Sequence, residues 1–339
     1  MSQLLRVNNL HTSFFTQDGE VKAVKGVNFH LNKGETMGIV GESGSGKSVT
    51  SLSILKLLPP SGRIIDGEIL LNDVNLVEAD NGVMREVRGA KVAMIFQDPM
   101  SSLNPLIPVG KQVEEMITTH ETHPRDELKK MVLELFKKVQ IPDPEKRYKS
   151  YPHEFSGGMR QRVMIAMALA CKPSVLIADE PTTALDVTIQ DQILKLLRSL
   201  QDEMQMSIIF ISHNLGVVAE ICSRVMVMYG GMVMEYANIN DIFNNPKHPY
   251  TMGLLKSIPA IDQDRSASLQ SISGSPPDMS NPPEGCPFHP RCRYARKICS
   301  IKVPPVVTIS KDHGSRCWLL NADAPGNNNP FSQDGTIND

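Results

Sequence analysis

The chain has 339 residues, 41% hydrophobic and 21% charged, which is ordinary for a globular protein able to bury one large core with an appendage. With 35 basic against 37 acidic side chains its formal net charge is −2, so the basic excess that marks nucleic-acid binding is missing. No run reaches the roughly 18–20 apolar residues of a membrane span. The longest candidate, VMIAMALACKPSVLIA, is broken by Lys172 and Pro173.

The first ten residues, MSQLLRVNNL, lack the charged-then-apolar layout of a signal peptide, so a cytosolic chain is expected, with any membrane contact made through a partner. From residue 4 to about 235, short apolar runs alternate with amphipathic helical ones, the pattern of an α/β fold with a mainly parallel sheet. TMGIVG (36–41) reads as the first buried strand. It leads directly into GESGSGKS and then into the helical run VTSLSILKLL.

Gly41 to Ser48 match G-x-x-x-x-G-K-S in full, and the flanking strand and helix supply the context that motif requires. Gly41, Gly44 and Gly46 let backbone N–H groups, including that of Ser43, turn inward around phosphate oxygens. The helix N-terminus adds partial positive charge. Lys47 can reach the β and γ phosphates, and Ser48 can ligate Mg²⁺.

KVAMIFQ (91–97) reads as the next buried strand, ending on Gln97. Residues 106–154 then interrupt the alternation. Met131, Val132, Leu135, Phe136 and Val139 form one helical stripe there, and the block is expected to be a small helical insertion. FSGGMRQRV (155–163) follows, with Ser156, Gly157 and Gly158 ahead of a helix at 159–171. By its residues alone this is either a second anion site at a helix start or a well-capped helix.

VLIADE (175–180) is a strand presenting Asp179 and Glu180 side by side. In P-loop enzymes a strand-borne aspartate holds Mg²⁺, which leaves Glu180 to deprotonate a water for in-line attack. Ile189, Ile193, Leu196, Leu197 and Leu200 mark a helix, and SIIFIS (207–212) and RVMVMY (224–229) two further buried strands. Cys171 and Cys222 stand alone in apolar surroundings and are expected to be buried packing residues. Beyond about residue 260 the composition shifts to Pro, Ser and Cys, and the last nineteen or so residues are polar and expected to be disordered. Cys286-x5-Cys292-x6-Cys299-x17-Cys317 offers four thiolates, enough for an iron–sulfur cluster or a tetrahedral zinc site.

In combination these motifs resemble the ATP-binding subunits of ABC transporters over roughly residues 4–320. The resemblance implies a P-loop ATPase core with a helical subdomain inserted at about 98–156 within residues 1–260. A small Cys-rich extension would span 261–320, and a disordered tail 321–339. Phe155-Ser156-Gly157-Gly158-Met159-Arg160-Gln161 stands for the signature sequence, whose commonest form has Leu first and Gln fifth. Two such ATPase domains would meet head to tail, each ATP lying between one chain's cradle and the other's signature.

Further roles follow from the same resemblance. Gln97 is the glutamine that senses Mg²⁺ and the attacking water, and DPMSSLNP after it faces the membrane subunit. His213 contacts the γ-phosphate, with Asn214 after it where relatives generally have aspartate. Ala184-Leu185-Asp186 crosses the dimer interface. Phe14, with Phe15 as the alternative, stacks on adenine, an interaction worth about 1–3 kcal/mol on an aromatic ring.

FQDPMSSLNP, YPHEFSGGMRQRVMIAMALA, ADEPTTALDVTIQ and NPKHPYTMGLL resemble the ATPases of dipeptide/oligopeptide importers, of the D type. That likeness implies a homologous F-type ATPase partner, two membrane permease subunits and an extracytoplasmic peptide-binding protein. It implies ATP and Mg²⁺ as ligands, work at the cytoplasmic face of the membrane, and a 4Fe–4S cluster on the four cysteines. Nickel or metal-chelate importers are close alternatives. A DNA-repair or translation ATPase, or a P-loop kinase, fits less of the pattern.

Overall fold

Alternating exposure along residues 3–32 gives the first two elements, and both are strands. The computed structural model describes residues 2–98, 102–183, 185–258, 272–321 and 330–331. β1 (Gln3–Thr16) and β2 (Gly19–Asn32) form a long antiparallel hairpin that pairs from Gln3 opposite Asn32 to Thr16 opposite Gly19, with register shifts between Gln3 and Ser13. β4 (Gly62–Leu71) and the short β5 (Val74–Asn75) extend it to a four-stranded antiparallel sheet in the order β2-β1-β4-β5. The expected strand–helix alternation from residue 4 is therefore corrected at its start. These strands cover only one face, so their apolar residues come in runs of one to three and leave no longer run to read.

The second sheet has eight strands in the order β11-β12-β10-β9-β3-β8-β7-β6. Its centre is the set expected from the apolar runs: β3 (Thr36–Val40), β6 (Val92–Ile95), β7 (Val175–Asp179), β8 (Ser207–Ser212) and β9 (Arg224–Tyr229), all parallel to one another. β10 (Met232–Asn238) returns antiparallel through a Gly230–Gly231 turn, and β11 (Val307–Ser310) and β12 (His313–Ser315) complete that edge. The sheet is thus mixed, with a parallel middle.

Both faces of the middle strands are covered. Met37, Ile39, Ile177, Ile209 and Ile211 join Leu5, Leu10, Val27 and Leu31 of the antiparallel sheet in one cluster. Val40, Leu176, Ala178, Ile208 and Phe210 join the helices in the other. Burial on both sides explains why each strand reads as continuous apolar text.

α1 (Lys47–Ile54) follows β3, and the Thr12 and Ser53 hydroxyls hydrogen-bond at 2.9 Å to tie it to β1. α2 (Asn81–Val87) precedes β6. Between β6 and β7 lie α3 (Val109–Thr118), α4 (Arg125–Lys138), the single turn α5 (Pro144–Arg147) and α6 (Gly157–Leu169). Val113 and Ile117 of α3 and Leu128, Val132 and Phe136 of α4 share one buried face. Met131 and Leu135 are half-buried at its margin.

Arg162 of α6 fastens this block to the rest, Nη1 donating to the Val139 carbonyl at 2.9 Å and Nη2 to Gln192 Oε1 at 3.3 Å. Gln192 belongs to α7 (Val187–Met204), which buries Ile193, Leu196, Leu197 and Leu200. α8 (Leu215–Ile221), α9 (Ile239–Asn244) and α10 (Pro249–Lys256) follow along the chain.

Cys222 is buried as expected, whereas Cys171 is only half-buried, its thiol donating to the Met116 carbonyl at 3.4 Å. The expected disorder of 321–339 falls almost wholly outside the described residues.

Candidate nucleotide site

The loop from Gly41 to Gly46 turns the chain from β3 into α1 in a space that admits little more than backbone. A Cβ on Gly41 would lie 2.2 Å from the Met228 carbonyl oxygen, and one on Gly46 2.7 Å from that of Ala23, at a φ of +99°. Ser43 and Gly44 form its exposed tip. Lys47 folds back into the loop, its Nζ donating to the Gly41 carbonyl at 2.7 Å and the Glu42 carbonyl at 2.9 Å. Burial pushes its pKa below the usual lysine value, while Glu180 and Asp179 pull it back up. The ammonium is thus desolvated and held by two carbonyls and, at 3.5 Å, the Ser45 hydroxyl, a charge that a phosphate would satisfy better.

Asp179 ends β7 near Ser48. Its carboxyl is buried and pushed above the usual range by that burial, while the Ser48 hydroxyl acts to lower its pKa. Oδ1 has no hydrogen-bond partner. An unsatisfied buried carboxylate oxygen next to a serine hydroxyl is a hard-oxygen pair suited to Mg²⁺, so these residues fit that ion.

Glu180 is the point on which the site converges. It adopts a left-handed conformation, φ +48°, fixed by its N–H donating to the Ile211 carbonyl of β8 at 3.0 Å. Its Oε2 accepts from Gln97 Nε2 at 3.1 Å and from the Thr183 hydroxyl at 2.8 Å, with His213 Nδ1 at 3.3 Å. The carboxylate side chain is 13% exposed and the imidazole 58%, so the histidine stands at the solvent side. Gln97 does not end its strand as expected: β6 stops at Ile95, and Gln97 lies in the exposed loop beyond. Asn214 caps α8, its side chain accepting from the Gly216 N–H at 2.9 Å. Thr183 was missed in the sequence, where a second threonine in PTTALD carries no signal of its own.

The second glycine run is built differently. Ser156 caps α6, its Oγ accepting from the Met159 N–H at 3.4 Å, and Ser156 and Gly157 are exposed. A Cβ on Gly158 would lie 2.7 Å from a methyl of Ile189, so glycine lets α6 approach the start of α7. Asp186 caps that second helix, Oδ1 accepting from the Ile189 N–H at 2.9 Å. Ser156, Gly158 and Asp186 are therefore brought together, while Ala184 lies outside the described residues, as do residues 99–101 of DPMSSLNP. Phe155 is buried under the Arg147 guanidinium, and Met159 packs half-buried on the core, so both departures from the commonest signature are accommodated by packing.

Phe14 and Phe15 point to opposite sides of β1, as neighbours in a strand must. Phe14 is half-buried against Gly62, and Phe15 is 45% exposed with the Arg63 guanidinium 5.6 Å from its ring centre.

Near the C-terminus Cys286, Cys292, Cys299 and Cys317 line one cavity of about 10 Å³, and all four are free thiols. Burial pushes Cys286 and Cys317 up to about 12 and Cys292 up to about 11. Among the described residues no group of three or more His, Cys, Asp or Glu stands where it could hold a metal ion. The expected 4Fe–4S site is thus not supported by the arrangement of the side chains.

Residues 24–183 match the ABC transporter family, and residues 234–299 match the oligopeptide/dipeptide transporter C-terminal region. The chain is 54% identical to the oligopeptide transport ATP-binding protein OppD of Bacillus subtilis, over 96% of this chain and 91% of that one. It is 52% identical to the dipeptide transport ATP-binding protein DppD of the same organism, over 94% and 95%. Among solved structures it is similar to the dimeric, post-hydrolysis ATP-binding cassette MJ0796 bound to ADP and phosphate, at 27% identity and a TM-score of 0.63, covering 69% of this chain and 98% of that one. CbiO1 of Clostridium perfringens, part of the ABC transporter complex cbiONQ, gives 30% and 0.62, covering 72% and 92%. No helix among the described residues is long and apolar enough to cross a membrane. A phosphate cradle, a carboxylate held by glutamine, threonine and histidine, and these likenesses lead to one assignment: the chain belongs to the ATP-binding proteins of ABC transporters, in the group that carries the oligopeptide/dipeptide transporter C-terminal region.

Proposed function

We infer that this chain is the ATP-hydrolysing subunit of an ABC importer that powers peptide uptake. One observation carries the chemistry: Gln97, Thr183 and His213 converge on the Glu180 carboxylate next to the unsatisfied Asp179 oxygen.

In this reading the N–H groups of residues 43–48 bind the phosphates, and Lys47 leaves the Gly41 and Glu42 carbonyls for the β and γ oxygens. Phe14 stacks on adenine. Ser48 and Asp179, with Gln97, hold Mg²⁺, which when bound neutralises charge on the phosphates. Glu180 accepts the proton of a water attacking the γ-phosphorus, the bond to ADP breaks, and ADP and phosphate leave. His213 and Gln97 orient that water and the γ-phosphate. Each is within hydrogen-bond reach of Glu180, which supports a shared role.

The exposed Ser156 and Gly157 and the half-buried Gly158, with Asp186 beside them, cap the ATP of a second ATPase subunit. That MJ0796 is a dimeric cassette supports such pairing. Charge-assisted contacts of roughly 1.5–3 kcal/mol each then drive closure, and hydrolysis reverses it. The partners are a homologous F-type ATPase, two membrane permeases and an extracytoplasmic peptide-binding protein, and the work is done at the cytoplasmic face. OppD and DppD are named for oligopeptide and dipeptide transport, which supports the cargo.

Residues 261–320 form a Cys-rich extension in which Cys286, Cys292, Cys299 and Cys317 would hold a 4Fe–4S cluster. Support comes from their lining one cavity, and from the burial that raises the pKa of Cys286, Cys292 and Cys317 and makes those thiolates costly without a cation. The cluster would supply a covalent crosslink to this segment. Iron and sulfide analysis of anaerobically purified protein tests it, and iron-free protein would remove it.

Uptake of labelled di- and oligopeptides by cells carrying wild-type protein or Glu180→Gln tests the transport reading, with labelled nickel in parallel. Loss of peptide uptake alone is expected. Loss of nickel uptake alone would move the chain to metal import.

A further inference from the structure

Glu42 lies inside the phosphate cradle, yet its partners come from the far end of the chain. Its N–H donates to the Tyr250 hydroxyl at 2.9 Å. Its Oε2 accepts from Arg291 Nη1 at 2.6 Å, and the same nitrogen donates to the Tyr229 hydroxyl at 3.1 Å. Arg291 is fixed from behind as well, Nε donating to the Ser273 carbonyl and Nη2 to the Ile272 carbonyl, both at 3.0 Å. The Arg291 side chain is 7% exposed and that of Glu42 24%, so water screens the pair weakly. Tyr229, Tyr250 and Phe288 fill the space beside the pair, ring centres 4.6–5.3 Å apart. The segment also abuts the turn after β9: a Cβ on Gly230 would lie 2.7 Å from Pro287 Cβ, and Gly231 donates to the Ser45 carbonyl at 3.1 Å.

Glu42 is thereby held at three points, its N–H, its carboxylate and, through Lys47, its carbonyl. A bound phosphate would draw Lys47 off that carbonyl, which also accepts from the Ser45 N–H at 3.2 Å, and the contacts of the Glu42 N–H and carboxylate would then keep the N–H groups of the loop converged. We propose that Arg291 is a positioning residue of the nucleotide cradle: by gripping Glu42 it lets the C-terminal segment set the shape of the loop, and with it the affinity for ATP. This rests on reading Gly41–Ser48 as the nucleotide cradle.

The test is equilibrium binding of a fluorescent ATP analogue with Mg²⁺ to the full-length chain. Wild type is compared with Arg291→Ala, Arg291→Lys, Glu42→Gln and the Arg291→Ala/Glu42→Gln double variant. Melting temperature without nucleotide and hydrogen exchange of the 41–47 amides are read alongside. Arg291→Ala and Glu42→Gln should each weaken binding by about fivefold or more, the scale of ordinary inter-site coupling. The double variant should be no worse than the poorer single one, because both remove the same contact. Arg291→Lys keeps the charge and should recover part of the affinity. Cradle amides should exchange faster in Arg291→Ala, and Arg293→Ala, exposed in the same segment, should bind as wild type does.

Lowered melting temperature with wild-type affinity and wild-type cradle exchange would overturn the proposal, as would strictly additive single effects. If Arg291→Ala does not fold, Arg291→Lys and Glu42→Gln decide by the same criteria. Wild-type protein that fails to bind the analogue would instead overturn the cradle reading itself.

Discussion

The two glycine-rich helix starts of this chain make the same kind of surface and finish it in different ways. At α1 the loop is enclosed: Gly41 and Gly46 sit against backbone, Lys47 is buried, and Asp179 brings a carboxylate oxygen with no partner. At α6 the start is open: Ser156 and Gly157 are exposed, a hydroxyl rather than an ammonium caps the helix, and the tight glycine faces another helix of the same chain. One site carries unmet charge and the other does not. Helix termini supply partial charge in both, but only the first is complete enough to hold a polyphosphate by itself.

Predictions follow from that contrast. Glu180→Gln keeps the shape and the Gln97, Thr183 and His213 neighbours but removes the proton acceptor. ATP turnover should fall about 10²–10⁴-fold, with nucleotide affinity retained, in a phosphate-release assay. Unchanged turnover would take the catalytic role from Glu180.

Lys47→Ala should weaken ATP binding by about tenfold or more, the loss of a charge-assisted contact of about 1.5–3 kcal/mol. Its melting temperature without nucleotide should hold or rise, because a desolvated ammonium is removed. A large fall instead would mean that Lys47 serves the fold.

Asp179→Asn sharpens the same point through pH. Burial raises the carboxyl pKa, so the cost of ionising it is absent below the unfolded value and grows as pH rises toward the folded one. At neutral pH without Mg²⁺ the asparagine variant should therefore melt at or above wild type. Stabilisation by Mg²⁺ should appear in wild type and vanish in the variant, as read by differential scanning fluorimetry.

Ser156→Ala should cost only about 1 kcal/mol, the worth of a helix cap, and leave ATP binding to the isolated chain unchanged.

The sequence revealed most where physics is least negotiable. Strands covered on both faces must be continuously apolar, and all five parallel strands were legible as such. A phosphate loop must have glycine where backbone presses close, and Gly41 and Gly46 sit at those points. Phe136 and Leu197 were legible through helical spacing. The antiparallel sheet was not, because strands buried on one face leave apolar runs of only one to three letters that read equally as loop or helix. Thr183, Tyr250 and Arg291 were invisible for another reason: nothing local in Arg291 announces a contact with a residue 249 positions away. Long-range polar contacts belong to topology rather than to pattern. The strand end at Ile95, two residues short of Gln97, is an error of the same origin, since apolar text ran on after the ladder had stopped.

In the proposed assembly the second glycine run completes a site on another subunit. Ser156→Arg tests this pairing, with ATP affinity measured on the isolated chain and ATP hydrolysis on the assembled importer. Isolated-chain affinity should stay within twofold of wild type, and hydrolysis by the assembly should fall twofold or more. Reduced affinity in the isolated chain, or full hydrolysis by the assembly, would contradict the pairing.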